Sequence, residues 1–295
     1  MGNASNVPAA LEASVRRLEN GSPFAQGEGS RDKWTGAWWH MAALREMGKV
    51  RRIPEPAILE AKKLLQTRVW PVFVIAEQDA PAHESDLDKW DCCHCELAVF
   101  YMILQDYGCD LDRELPWIRE WLLDHQLPDG GLNCDPDAYL HSHKSSIVST
   151  LPPLEAILRC TKREFTQREK DFLDEGARYL IEHKLVCSKS SGQVINEDWL
   201  KPCFPRFFEY DILRGLSFVT EWSRKRGKPL PDGFVEEALE RAKPYIGKDG
   251  VRIGRQVWDP DGEWGGGTFA LLEALAGVGE VSEFLSLEKK EIDRP

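Results

Sequence analysis

Long apolar runs are missing from this sequence of 295 residues. No stretch of about 18 apolar residues occurs, so a transmembrane helix is not expected. The opening residues, MGNASNVPAALEAS, lack an apolar signal core. They begin Met-Gly but carry Asn6 where a myristoylation pattern has Ser or Thr. The compartment expected is the cytoplasm. Basic residues are also in short supply: 38 Lys and Arg face 49 Asp and Glu, a net charge of -11. Phosphate recognition needs a clustered basic excess, so nucleic acid is not an expected partner. Eight cysteines are too few for a disulfide scaffold, and reduced thiols are the expected state. Alternating apolar and polar runs are no longer than a few residues, which leaves no good candidate for a sheet.

What is present is helical spacing, in two kinds. Segments near 38–48, 92–107, 145–159, 210–224 and 267–276 are apolar on most sides. Segments near 55–66, 114–126, 167–184 and 233–246 carry one apolar stripe. The two kinds alternate. The apolar segments start about 53 to 65 residues apart, a period that marks a repeat of helical hairpins. One helix of each hairpin is then buried and the other faces solvent on one side. Two concentric layers of helices satisfy this pattern. The expected fold is all-α, an α/α toroid of inner and outer helices, with an open solenoid as the competitor. Residues 1–31 are expected to form an N-terminal helix and a flexible segment on the ring, and 32–295 the toroid itself.

Parallel inner helices would gather their N-termini at one mouth of the ring. Aromatic and titratable residues concentrate at these starts. Trp38, Trp39 and His40 open the first apolar segment. Asp91-Cys92-Cys93-His94-Cys95 opens the second. Cys134, His141, His143, Ser145 and Ser146 precede the third, and Phe208, Tyr210 and Asp211 the fourth. Trp264 precedes the fifth. Several of these have plainer roles available. Asp91 and Ser145 suit helix N-caps, Cys134 suits a small packing position, and His141 and His143 suit a solvated loop. Cys134, His141 and His143 are also zinc ligand types, so zinc is the candidate metal. A carboxyl buried among apolar groups has a raised pKa and suits acid catalysis, which makes Asp91 and Asp211 the candidate acids.

The stretch His125–Asp135, HQLPDGGLNCD, is similar to the repeat signature of the prenyltransferase and squalene-cyclase family. That signature is a Gln followed by a Gly-rich turn and an aromatic; here Leu132 stands in the aromatic position. Three longer segments resemble a bacterial group that carries this repeat: PDGGLNCD with HSHKSSIVSTLPPLEAI, then SSGQVINEDWLKPCFPRFFEYDILRGL, then WGGGTFALLEAL. The resemblance spans roughly Asp91 to Ala276. It implies an α/α toroid around an apolar cavity that takes an isoprenoid-type small molecule. Trp38, Trp39, His40, His94, Ser145, Ser146, Phe208 and Trp264 would line the cavity, with Asp211, Asp91 and Tyr210 as catalytic groups. Ring faces there would stabilise a carbocation. The DxDD motif of the triterpene cyclases does not occur, and Asp135 directly follows Cys134 where the zinc transferases have Asp-x-Cys. At this length the ring is expected to be small or incomplete. Two rival readings stand beside this one: a non-catalytic binding module on the same fold, and a carbohydrate-active α/α barrel with paired carboxylates and some of the eleven Trp in its groove.

Overall fold

A computed structural model of the chain describes residues 6–19, 37–46, 48–67, 94–203, 206, 209–247, 250–251, 254 and 292. Among these the protein is all-α apart from one short antiparallel pair. The helices are α1 (Asn6–Glu19), α2 (Ala37–Glu46), α3 (Glu55–Thr67), α4 (His94–Tyr107), α5 (Leu111–Glu114), α6 (Trp117–Asp124), α7 (Ile147–Cys160), α8 (Gln167–Glu182), α9 (Ile212–Arg226) and α10 (Phe234–Ala242). Strands β1 (Ile246–Gly247) and β2 (Gly250–Val251) pair in register Ile246 with Val251. The alternation read from the sequence is present as far as α10; the expected apolar segment at 267–276 lies outside the described residues. No described helix is long and apolar enough to cross a membrane.

The chain divides into two compact units. One comprises Met1–Glu60 and His183–Pro295, the other Ala61–Glu182, and α3 carries the chain from the first into the second. In the first unit α1 packs on α2, and α9 packs on α10. Asp211 caps α9 by accepting the Arg214 N–H, and Gly227 ends it in the left-handed conformation.

The Ala61–Glu182 unit is built around α4 and α7, which pack on each other. In α4 every residue from His94 to Gln105 is buried, and in α7 all but Val148 and Arg159. Helix α7 runs on through Pro152 and Pro153, which remove two backbone donors from its middle. Against this pair lie α6 and α8, each buried on one side only. In α8 the buried Phe172, Leu173, Gly176, Ala177 and Leu180 fall on a single stripe. Helix α8 starts with a capping box: Thr166 N–H donates to Glu169 Oε2 at 2.8 Å, and Glu169 N–H to Thr166 Oγ1 at 3.2 Å. The alternation of largely buried and half-buried helices is thus present within this unit.

The turn HQLPDGGLNCD holds three helices at once. Gln126 Nε2 donates to Gly130 O and, from α8, to Phe172 O, both at 2.8 Å. Asp129 accepts from Gly131 N and Ser145 N and from the Ser145 hydroxyl, which ties the turn to the start of α7. Leu132 is fully buried, and its N–H donates to Thr150 Oγ1 of α7 at 2.8 Å. An apolar side chain there, aromatic or not, contributes about 1.5–3 kcal/mol by burial. Gly130 has φ +99°, and a Cβ on it would lie 2.5 Å from Glu175 O of α8. Gly130→Ala is therefore expected to destabilise the protein by roughly 2–4 kcal/mol, through backbone strain and overpacking together. Urea denaturation checks this, and a loss below 1 kcal/mol would show that the turn is not pressed on α8.

Candidate functional site

The candidate residues divide between the two units. In the first unit Trp38, Trp39 and His40 are all buried in α2. The two indoles meet edge to face, with ring centroids 5.4 Å apart. His40 Nδ1 lies 3.0 Å from Ser14 Oγ of α1, and burial, with Arg17 adding to it, lowers its pKa to about 4. Tyr210 is buried, donates to Leu185 O at 2.9 Å and meets the Trp199 ring edge to face. Its hydroxyl lies where a Cβ on Gly215 would be. Asp211 is fully buried. Its Oδ1 accepts the Arg214 N–H at 2.9 Å, and its Oδ2 accepts the Cys203 N–H at 3.2 Å. Arg206 Nη1 lies 3.7 Å from that second oxygen.

Arg206 also reaches Glu46, a residue the sequence reading did not single out. Its N–H donates to Glu46 Oε2 at 2.5 Å, and its Nε is 3.9 Å from Oε1. Burial raises the Glu46 carboxyl to about 7 against the opposing pull of Arg206 and Arg214. Glu46 and Arg206 are 160 positions apart, and no local sequence signal links them.

In the Ala61–Glu182 unit the polar candidates collect around His94. The Trp121 indole N–H donates to His94 Nδ1 at 3.3 Å. Indole only donates, so Nδ1 carries a lone pair and the proton of the neutral ring is on Nε2. That N–H donates in turn to Tyr139 Oη at 2.9 Å. Tyr139 also accepts the Asn133 N–H, and its hydroxyl hydrogen faces the carbonyls of His125 and Asn133. The His125 ring stacks on Trp121, 4.0 Å between centroids. Burial, reinforced by His125, lowers the His94 pKa to about 3. The ring is a neutral link in a chain of hydrogen bonds, with both nitrogens in use. Trp121 and His125 were not among the candidates; only their aromatic type, near the repeat turn, hinted at them.

Cys134 lies beside this chain. Its N–H donates to Ser149 Oγ at 3.2 Å, and its Sγ is 3.8 Å from Cys95 Sγ in α4. Burial raises the Cys134 thiol above its ordinary value. Cys95 departs from the expected reduced state, being disulfide-bonded, whereas Cys109, Cys134, Cys160, Cys187 and Cys203 keep to it. His141 and His143 are exposed, with His141 paired to Asp137 at 2.9 Å and His143 ending a π-type turn at φ 51°. Neither histidine meets Cys134 in a ligand set. Among the described residues no group of three His, Cys, Asp or Glu side chains is placed to hold a metal ion. Ser145 donates to Asp129, while Ser146 takes the N-cap position of α7 without a side-chain bond to the helix. Asp91, Phe208 and Trp264 lie outside the described residues, and with Asp91 the carboxylate pair of the carbohydrate reading.

No protein-family model matches the chain, and neither a curated protein nor a solved structure does. The class that the described residues define is an all-α protein.

Proposed function

We propose that the chain is an α/α-hairpin protein of the prenyltransferase and squalene-cyclase type that holds an apolar, isoprenoid-type small molecule. The observation that carries the reading is the repeat turn in its layered setting. Gln126 bridges its own turn and the half-buried helix α8, while the Leu132 N–H donates to Thr150 of α7. This is the work a Gln and an apolar residue do in a repeat that joins buried and half-buried helices. Binding is favoured over turnover by Asp211. Both of its carboxylate oxygens accept backbone N–H groups, so it serves as a cap. To donate a proton it would first have to hold one, and the protonated oxygen would be a poorer acceptor for the Arg214 or the Cys203 N–H.

Solvent extraction of the purified protein, followed by mass spectrometry, tests the proposal together with titration by geranylgeraniol. The expected result is an extractable apolar molecule, or saturable quenching of tryptophan fluorescence at about one geranylgeraniol per chain. An empty extract together with non-saturable quenching would overturn it.

A further inference from the structure

We propose that the Arg206 guanidinium is shared between two buried carboxylates, Glu46 and Asp211, and that a proton on Glu46 decides which of them holds it. The proposal is independent of the apolar-ligand reading. Arg206 Nε lies 3.9 Å from Glu46 Oε1, and its Nη1 lies 3.7 Å from Asp211 Oδ2. Both carboxylates are buried, and so is the cation between them. One guanidinium cannot match two like charges equally well away from water. The two carboxylates differ in their other support. Asp211 accepts the N–H groups of Cys203 and Arg214, with Cys203 Sγ 3.5 Å from its Oδ2. Glu46 accepts the Arg206 N–H. The proton therefore goes to Glu46.

Burial raises the Glu46 carboxyl to about 7, which puts the loss of this proton near neutral pH. Among the described residues the charges acting on it are Arg206, Arg214 of α9 and Arg45 of α2 itself. Of the elements packed on α2, α1 directs Arg17 at His40 and pairs Glu12 with Arg52 of the turn Val50–Arg52, which also carries Arg51. With Glu46 protonated, Arg206 is left to Asp211, the cap of α9. With Glu46 ionised, the guanidinium closes on it. The Arg206 backbone is already fastened to Glu46 Oε2, and rotation of the side chain brings Nε to Oε1. The buried cap of α9 then loses the cation beside it. One proton passes to solvent and nothing else is exchanged. The device is a pH-sensitive joint between the end of α2 and the start of α9.

The test is amide hydrogen exchange by NMR on the full chain from pH 6 to 8, with rates corrected for the intrinsic effect of pH. The Cys203 and Arg214 amides, which donate to Asp211, are read against Phe218 and Val219 in the middle of α9. Global unfolding affects both sets and cancels in the ratio. Protection of the first set is expected to fall several-fold relative to the second as the pH rises through 7. The fall is absent in Glu46→Gln, which behaves at every pH as wild type does at pH 6. A flat ratio in wild type would overturn the proposal, and so would a fall that persists in Glu46→Gln. If that variant does not fold, the glutamate Cδ shifts of wild type decide. A glutamate that titrates with the midpoint of the amide response supports the proposal, and the lack of one overturns it.

Discussion

Replacing Arg119 by methionine is expected to lower the stability of the Ala61–Glu182 unit by about 3–5 kcal/mol, the cost of breaking a buried ion pair from one side. Arg119 is buried on α6, and all five of its N–H donors are used. Nε and Nη2 donate to the two oxygens of Asp112, Nη1 to Thr161 Oγ1 and to Glu169 Oε1, and Nη2 also to Tyr101 Oη. One guanidinium thereby joins α4, the α5 turn, the end of α7 and the start of α8. Methionine matches much of its volume but strands Glu169, whose side chain is 1 % exposed. Arg163 and the Thr166 N–H would still hold that carboxylate in part. Arg119→Lys is expected to fall between, since a single ammonium cannot serve four partners in a fixed fork. Adding Glu169→Gln to Arg119→Met should recover a share of the loss, because the stranded charge is gone. Urea denaturation reads all three. A loss below 1 kcal/mol for Arg119→Met would show that the network contributes little.

Acid is the second large effect, and it acts on the same unit. His94 has an ordinary pKa of 6.5 and is lowered to about 3 in the folded protein, mainly by burial. Above pH 6.5 neither the folded nor the unfolded chain binds this proton, and stability is independent of it. Below pH 6.5 the unfolded chain takes the proton and the folded chain does not. Stability is then lost at about 1.4 kcal/mol per pH unit until the folded ring titrates. By pH 4.5 the loss from His94 is about 2–3 kcal/mol. Glu169 extends the trend further down. Burial raises its carboxyl, but Arg163, the Thr166 N–H and Arg119 outweigh that and hold it at about 2. Its contribution is present above pH 4.5 and is lost as the pH falls towards 2. In the other unit His40 and Glu46 pull in opposite directions. Glu46, raised to about 7, contributes stability below pH 4.5 and loses it as the pH rises through 7. The check is the unfolding free energy from pH 7 to 4.5 for wild type and His94→Gln. The variant is expected to lose about one proton of pH dependence, and equal slopes would remove His94 as the cause.

The helices were legible because burial writes itself into periodicity. A segment such as CELAVFYMILQDYG, apolar on nearly every side, has to be inside, and α4 is. The turn at Pro128–Gly131 was legible as a turn, and Leu132 as its apolar anchor. The Thr166-x-x-Glu169 box was there to be read as a helix start. What the sequence hid is long-range polar pairing. Arg119 sits among Trp117, Trp121 and Leu122 in an amphipathic stripe, where a charged residue reads as solvent-facing. Its five acceptors come from four separate elements. Glu46 with Arg206, and Cys95 with Cys134, are likewise brought together by the fold and by no local pattern. The candidate rim was read from helix starts. At those starts lie a cap, Asp211, a neutral hydrogen-bonded ring, His94, and exposed histidines. Residue type near a helix end does not distinguish such roles, because capping, packing and catalysis draw on the same side chains.

The division of the chain has a consequence for how the protein is made. The unit Ala61–Glu182 is one continuous stretch, whereas its companion is completed only by residues from His183 onward. A ribosome adding roughly 5–20 residues per second needs about 6–25 s to pass the intervening segment of about 120 residues. For that interval α1 and α2 have emerged without Arg206, the partner of Glu46. The continuous stretch is therefore the first of the two units to have all its residues available, and Glu46 is the buried carboxyl left waiting for its cation.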